Sequence, residues 1–225
     1  MTAAGKAREA LSRWRNGRSA SRARQAEFEQ IYRENAWLGI ESRSGPGSDL
    51  SHTEAIRDAL PRLIREFSIQ SLLDCPCGDF FWMQRVPLDG VTYIGLDIVD
   101  EIIQRNRRTF ASASRRFERR DAVREAMPRA DLVLSRDFLV HLSFDDAWAA
   151  LANITGSGAR LFLATTFDEL DENEDIATGR WRPLNLTRPP FNFPAPLEMV
   201  YERRMRTTGR DKALGLWRMA DLPVR

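Results

Sequence analysis

The stretch Leu72-Leu73-Asp74-Cys75-Pro76-Cys77-Gly78-Asp79 decides how this chain is read. An apolar run from Ile69 to Leu73 ends in an acid and gives way to small residues and one glycine. That is the pattern of a buried strand followed by a turn whose backbone can approach a ligand closely. A second run, Val91 to Leu96, is rich in β-branched and aromatic residues and also ends in an acid, Asp97. Asp97 lies 23 residues beyond Asp74. That separation is close to the roughly 20 residues at which an acid ending a second parallel strand accepts hydrogen bonds from ribose hydroxyls.

Working outward, the pattern continues as alternating strands and helices. A helical stretch is expected from about Asp79 to Arg85 and another from about Asp100 to Phe110, followed by a weaker strand at Arg116 to Arg119. Asp131 to Ser135 reads as a buried strand, Phe144 to Ile154 as a helix, and Arg160 to Thr165 as a fifth strand. Upstream, Ile56, Leu60, Leu63, Ile64 and Phe67 recur at helical spacing from Thr53 to Phe67, with Pro61 as a point of expected kinking. Residues 42 to 51 contain Ser-Gly-Pro-Gly-Ser and read as a loop, and residues 1 to 35 read as a helix with Phe28, Ile31 and Tyr32 on one face. Downstream, Leu197 to Arg203 and Leu214 to Met219 read as two strands joined by a turn around Gly209. The expected fold is α/β: a doubly wound, mostly parallel seven-stranded sheet with helices on both faces and a C-terminal antiparallel β-hairpin. Residues 1–35 form a basic helical extension to a domain of residues 36–225. The long segment 168–196, acidic at first and then aromatic, is expected to be an ordered substrate lid.

Composition narrows the class. With 43% apolar and 29% charged residues in 225, the chain has the mixture of a globular protein with one sizeable core. No window approaches the roughly 20 apolar residues of a membrane-spanning helix, so no membrane partner is expected. Residues 1 to 24 carry seven Lys or Arg (Lys6, Arg8, Arg13, Arg15, Arg18, Arg22, Arg24) against Glu9, leaving 27 basic and 31 acidic residues elsewhere. That balance argues against a nucleic-acid-binding body. The Arg/Ala/Ser-rich start has the look of a transit peptide or of a solvated helix, and it lacks the apolar core of a secretory signal. Cys75 and Cys77 are too close for an unstrained disulfide and too few for a zinc site, so no metal is expected, and reducing cytoplasm is the expected compartment.

In an open α/β sheet, ligands bind beyond the carboxyl ends of the strands. Acids mark those ends here: Asp74, Asp97, Asp121 after the third strand and Asp137 past the fourth. Taken together, Leu72 to Asp79, Tyr93-Ile94-Gly95-Leu96-Asp97-Ile98, Arg120-Asp121-Ala122 and Asp131 to Asp137 with Val140-His141-Leu142 resemble the successive motifs of the class I, Rossmann-like S-adenosylmethionine-dependent methyltransferases. The resemblance covers roughly residues 50 to 220. It departs from the family at Pro76, where glycine is common, although Asp-x-Pro-Cys-Gly-Asp occurs as a variant. It implies S-adenosylmethionine as cofactor, with the turn Asp74, Cys75, Pro76, Cys77, Gly78 and Asp79 around the methionyl part, Asp97 and Ile98 at the ribose, and Asp121 and Ala122 at the adenine. Arg136 joins that cofactor set.

Methyl transfer from a sulfonium asks the protein to position a nucleophile and, for a hydroxyl acceptor, to remove its proton. His141, with an imidazole that titrates near neutrality, is the candidate base and Asp137 its competitor; for His141 a packing role weighs as much. His52 reads as a capping or surface residue. Trp181, Arg182, Asn185 and Asn192 supply flat apolar faces and polar donors suited to a sugar or a carboxylate-bearing acceptor. The expected activity is O- or N-methylation of a small-molecule or glycan acceptor. An RNA methyltransferase and a non-catalytic S-adenosylmethionine-binding module are the alternatives, while the missing three-glycine pattern disfavours a nicotinamide dehydrogenase.

Overall fold

A computed structural model describes the backbone of residues 3–202 and 212–223, with side chains from Gly17 onward. The turn expected around Gly209 and the expected strand end at Arg203 lie outside the described residues. The elements are α1 (Ala3–Glu34), α2 (Glu54–Glu66), β1 (Ser71–Asp74), β2 (Thr92–Asp97), α3 (Asp100–Phe110), β3 (Arg115–Arg119), β4 (Leu132–Ser135), α4 (Phe144–Thr155), β5 (Leu161–Phe167), β6 (Glu198–Tyr201) and β7 (Lys212–Arg218). Seven strands form one sheet in the order β3-β2-β1-β4-β5-β7-β6. The first five are parallel, and β7 runs antiparallel between β5 and β6. The expected architecture is therefore the observed one, and the C-terminal strands enter the sheet with the last strand inside and β6 at the edge.

The alternation of side chains along each strand builds two apolar layers. Leu72, Tyr93, Leu132 and Leu163 meet Ile56, Leu60 and Leu63 of α2 and Ile103 of α3 on one face. Leu73, Ile94, Val133 and Phe162 meet Ala147, Leu151 and Ile154 of α4 on the other. Because both faces are covered, β4 and β5 are buried along their whole length, which is why they read as continuous apolar runs. Pro61 is tolerated inside α2.

One expectation is corrected. The stretch from Asp79 to Arg85 is not an α-helix: only Met83–Arg85 turns, as a 3-10 helix. Asp79 is committed instead to pinning the neighbouring loop, and Phe80 takes a left-handed φ of 60°. The segment 168–196, expected as a substrate lid, packs against the core in this structure. Leu184, Leu186, Phe191 and Phe193 are buried in the layer beside α4, where Phe191 stacks on Trp148 at 5.4 Å between ring centroids. Arg182 and Asn185 are the polar ties of this layer. The Arg182 guanidinium donates to Leu139 O at 2.7 Å, Leu142 O at 2.8 Å and Glu174 O at 3.0 Å. The Asn185 amide donates to Leu170 O and Asp168 O. With no helix between β5 and β6, irregular chain covers this face, and buried carbonyls there need side-chain donors.

Phe191→Ala is expected to destabilise the protein by about 3–5 kcal/mol in urea unfolding, the cost of emptying a fully packed aromatic site. The exposed neighbour change Asn192→Ala should cost well under half as much; equal effects would show that the segment does not carry the core.

Candidate functional site

The carboxyl ends of β1, β2 and β4 open into one cleft of about 1060 Å³ including its mouth. Its floor is the turn from Asp74 to Asp79, one wall is Asp97 with Ile98 and Val99, and the other is Arg136 to Leu142. The turn is held by backbone bonds to its neighbouring strands, Cys75 N–H to Leu134 O at 2.9 Å and Cys77 N–H to Leu96 O at 2.8 Å. The Cys75–Pro76 peptide is cis, and both cysteines are free, buried thiols whose pKa burial raises well above the ordinary value. Gly78 is required twice over. Its φ of +51° is left-handed, and a Cβ there would come within 2.5 Å of Ser44 Oγ.

Asp97 joins the turn to the second strand. It accepts from Gly78 N–H at 3.1 Å on Oδ2 and from Val99 N–H at 2.9 Å on Oδ1. A carboxylate offers about four acceptor sites, so each oxygen keeps capacity toward the cleft that it lines. Burial raises its pKa to about 6, against the opposing pull of those backbone bonds. Asp74 is buried too and accepts from Tyr93 O–H at 2.6 Å; burial raises it to about 7. Asp79 faces the other way. Ser42 Oγ, Arg43 N–H and Phe81 N–H all donate to its carboxylate, and Ser44 Oγ accepts from its own N–H. It therefore clamps the Ser-Gly-Pro-Gly-Ser loop onto the turn, so the loop belongs to the site: Ser44 and Ser48 line the cleft.

Asp121 lines the cleft, but its expected role at the adenine is not free in this conformation. Ser21 O–H donates to Oδ2 at 2.6 Å, the Arg24 guanidinium donates to both oxygens at 3.3 and 3.2 Å, and Val123 N–H donates to Oδ1 at 3.1 Å. Its acceptor sites are taken by α1. Arg24 also reaches Asp146 at 2.8 Å, while Tyr32 packs against Val99 and Ile102. Residues 1–35 are therefore no mere appendage. Arg24, Phe28 and Tyr32 of α1, together with Trp37, form the roof of the cleft.

Asp137, the candidate base competing with His141, is paired with two cations. It sits at a left-handed φ of 52° with Lys212 Nζ at 2.6 Å and Arg136 Nη1 at 3.3 Å. These cations hold its carboxyl far below the usual range despite burial, so it is a permanent anion with little proton affinity. Arg136 in turn donates to Glu202 at 2.6 and 2.9 Å and to Gly47 O at 2.6 Å, with Trp82 under its guanidinium at 5.6 Å. Lys212 Nζ also pairs with Glu202 at 2.8 Å. Two cations and two anions thus form a closed network within the cleft wall, which satisfies every charge in it.

His141 is placed differently. Its Nδ1 lies 2.9 Å from Arg180 O, a carbonyl that can only accept, so Nδ1 carries the proton and Nε2 keeps a lone pair. Trp37 packs against the ring at 4.8 Å between centroids. Burial lowers the imidazole pKa, so the ring is neutral near pH 7. Of the residues expected at the acceptor, none lines the cleft: Arg182 and Asn185 are interior ties, Trp181 packs edge-on to Phe167 while half exposed, and Asn192 is exposed and donates to Pro190 O. The cleft residues missed from sequence include Arg24, Trp37, Trp82, Ser44 and Ser48. Only Phe28 and Tyr32 were signalled, by their shared helical face.

Asp74 and Asp97 fix a pH dependence. A carboxyl whose folded pKa lies above its unfolded value binds more protons folded than unfolded, so its contribution is most favourable at low pH and is lost as pH rises through the folded value. The window runs from about pH 4 to about pH 7. Asp74→Asn keeps an acceptor for Tyr93 and removes the titration. It should melt above wild type at about pH 8 and close to it at about pH 5; a variant that melts lower at the alkaline end would contradict the burial argument.

Neither protein-family models nor curated proteins match the chain. Solved structures do. The N-methyltransferase NodS from Bradyrhizobium japonicum WM9, in complex with S-adenosyl-L-homocysteine, is similar with a TM-score of 0.61 and 15% identity over 84% of this chain and 97% of that one. The 1,6-didemethyltoxoflavin-N1-methyltransferase of Burkholderia thailandensis, with bound 1,6-didemethyltoxoflavin and S-adenosylhomocysteine, gives 0.57 and 16% over 90% and 89%. The magnesium protoporphyrin IX methyltransferase of Synechocystis PCC 6803, with bound S-adenosylhomocysteine, gives 0.53 and 12% over 75% and 84%. With a strand order of 3-2-1-4-5-7-6, its last two strands antiparallel, and these structural relatives, the chain has the class I S-adenosylmethionine-dependent methyltransferase fold.

Proposed function

We propose that the protein is an S-adenosylmethionine-dependent methyltransferase that methylates an oxygen or nitrogen of a small-molecule or glycan acceptor. The observation that carries this reading is Asp97: a carboxylate at the end of β2, anchored by two backbone N–H groups and with acceptor capacity left toward the cleft, suits a pair of vicinal hydroxyls. Ile98 and Val99 supply apolar surface beside it, and Phe28 and Tyr32 close the cleft from above. The turn from Asp74 to Gly78 offers small residues where the methionyl part would lie. The structural relatives bind S-adenosylhomocysteine in the same fold, which supports the choice of cofactor.

S-adenosylmethionine, when bound, supplies a methyl group already activated by the positive charge on sulfur. The residues of this chain then have to orient the acceptor and manage its proton. Among the described residues lining the cleft, His141 alone offers a neutral nitrogen base, Nε2, with Nδ1 turned to Arg180 O. It takes the proton from an acceptor hydroxyl or ammonium-forming nitrogen as the new bond forms. Asp137 and the network behind it hold the wall that carries His141, and their charges are neutralised among themselves. The roof of α1 and Trp37 keeps water from the cleft.

Calorimetric titration tests the reading. S-adenosylmethionine and S-adenosylhomocysteine should both bind the wild type. Asp97→Ala should bind them about 100-fold more weakly, the loss of two hydrogen bonds to a charged group. His141→Ala should bind them as wild type does and slow methyl transfer about 10²–10⁴-fold. Failure of both ligands to bind, or tighter binding of NADH, would remove the proposal.

A further inference from the structure

The chain carries its charge in separated blocks, and the fold gathers one of them along a single edge. Residues 105–129 hold nine arginines against three acids, whereas residues 168–175 hold six acids and no base. β3 is the edge strand, and β5, which leads into the acidic block, lies four strands away. At about 4.8 Å per strand the two blocks are separated by roughly 19 Å.

The basic block wraps the edge. Arg105, Arg107 and Arg108 project from α3, which covers one face of the sheet, and all three are exposed. Arg116 and Arg119 stand on β3 itself. Arg129 lies exposed in the chain beyond, whose Met127 and Ala130 pack on the opposite face. α1 adds exposed Arg18 and Arg22, and its Gly17 lies against the Arg124 guanidinium. The acids nearby do not neutralise it: Glu118 is shared by Arg116 and Arg120, Glu125 pairs with Arg119, Asp121 pairs with Arg24, and Asp79 reaches only Arg105, at 4.0 Å.

We infer that the β3 edge is a docking surface for a single-stranded nucleic acid, bound through its phosphodiester backbone alongside the cleft. The local excess of arginine supplies the charge and the forked donors that phosphates take. The shape selects the partner. The arginines run from one face of the sheet around its edge to the other, a ridge that a flexible strand can follow and a flat bilayer touches only in part. None of the large apolar side chains exposed among the described residues, Leu38, Ile40, Trp181, Leu197 and Tyr201, belongs to the basic block itself, so the block has no apolar group of its own to insert into lipid. The near-neutral total charge concealed this surface, because the acidic loop 168–175 offsets it in the sum. Arg120 of the block lines the cleft, but the ridge arginines Arg108, Arg116 and Arg129 do not, and the inference stands whether or not the proposed methyl transfer does.

Fluorescence anisotropy of the full chain with a labelled single-stranded RNA of about 20 nucleotides measures it, in parallel with cosedimentation on phosphatidylcholine vesicles containing about 30% phosphatidylglycerol. The triple variant R108E/R116E/R129E should weaken RNA binding about tenfold or more at about 0.1 M salt. It should also reduce the slope of log affinity against log salt by roughly two, as expected for three lost phosphate contacts. R65E/R188E/R218E, an equal charge change at exposed arginines elsewhere, should change binding less than about twofold. Absence of RNA binding, equal weakening by the two triples, or binding to the vesicles alone would overturn the inference.

Discussion

The Gly78 N–H to Asp97 carboxylate bond joins the ends of β1 and β2, and the site is organised around it. A glycine is needed there because the backbone turns left-handed under Ser44. An acid is needed because two buried N–H groups at the ends of parallel strands want an acceptor. Once that bond is set, the floor and one wall of the cleft are fixed together. Burial of Asp97 and Asp74 then raises the affinity of both for protons, an electrostatic cost that a hydroxyl-bearing ligand can relieve by donating hydrogen bonds.

Around this centre the structure spends its polar groups on positioning. Asp79 ties the Ser42–Ser48 loop to the turn, Asp121 ties α1 to the end of β3, and Arg182 ties the 168–196 segment to the 3-10 turn at Leu139–His141. Each is a charged side chain in a loop-rich region that has no ladder to satisfy its backbone. Charge at the wall behaves likewise: Arg136, Asp137, Lys212 and Glu202 neutralise one another. A buried network of this kind is retained for geometry more than for stability. Here it stands beside His141, whose ring lines the cleft.

The fold was legible because burial on both faces of a parallel sheet forces continuous apolar strands, and acids or glycine then mark the strand ends. The helix expected at Asp79 to Arg85 failed because its polar residues serve the loop beside it, a contact 35 or more residues away in sequence. Trp181, Arg182, Asn185 and Asn192 have the chemistry of a binding site. Yet the same chemistry serves buried carbonyls, and residue type does not distinguish a donor turned inward from one turned toward a ligand.

What the sequence by itself determined is the parallel sheet, its closing antiparallel strands and the acids at its strand ends, since these follow from periodicity and spacing within each βαβ unit. Only the tertiary structure decided that α1 roofs the cleft, that Asp121 and Asp137 already have partners, that the His141 ring turns Nδ1 to Arg180 O, and that the arginines of α3 and β3 share one edge. The reason is physical: lone pairs, protonation states and local fields depend on neighbours brought together by folding, and those neighbours lie as far as 122 residues apart along the chain.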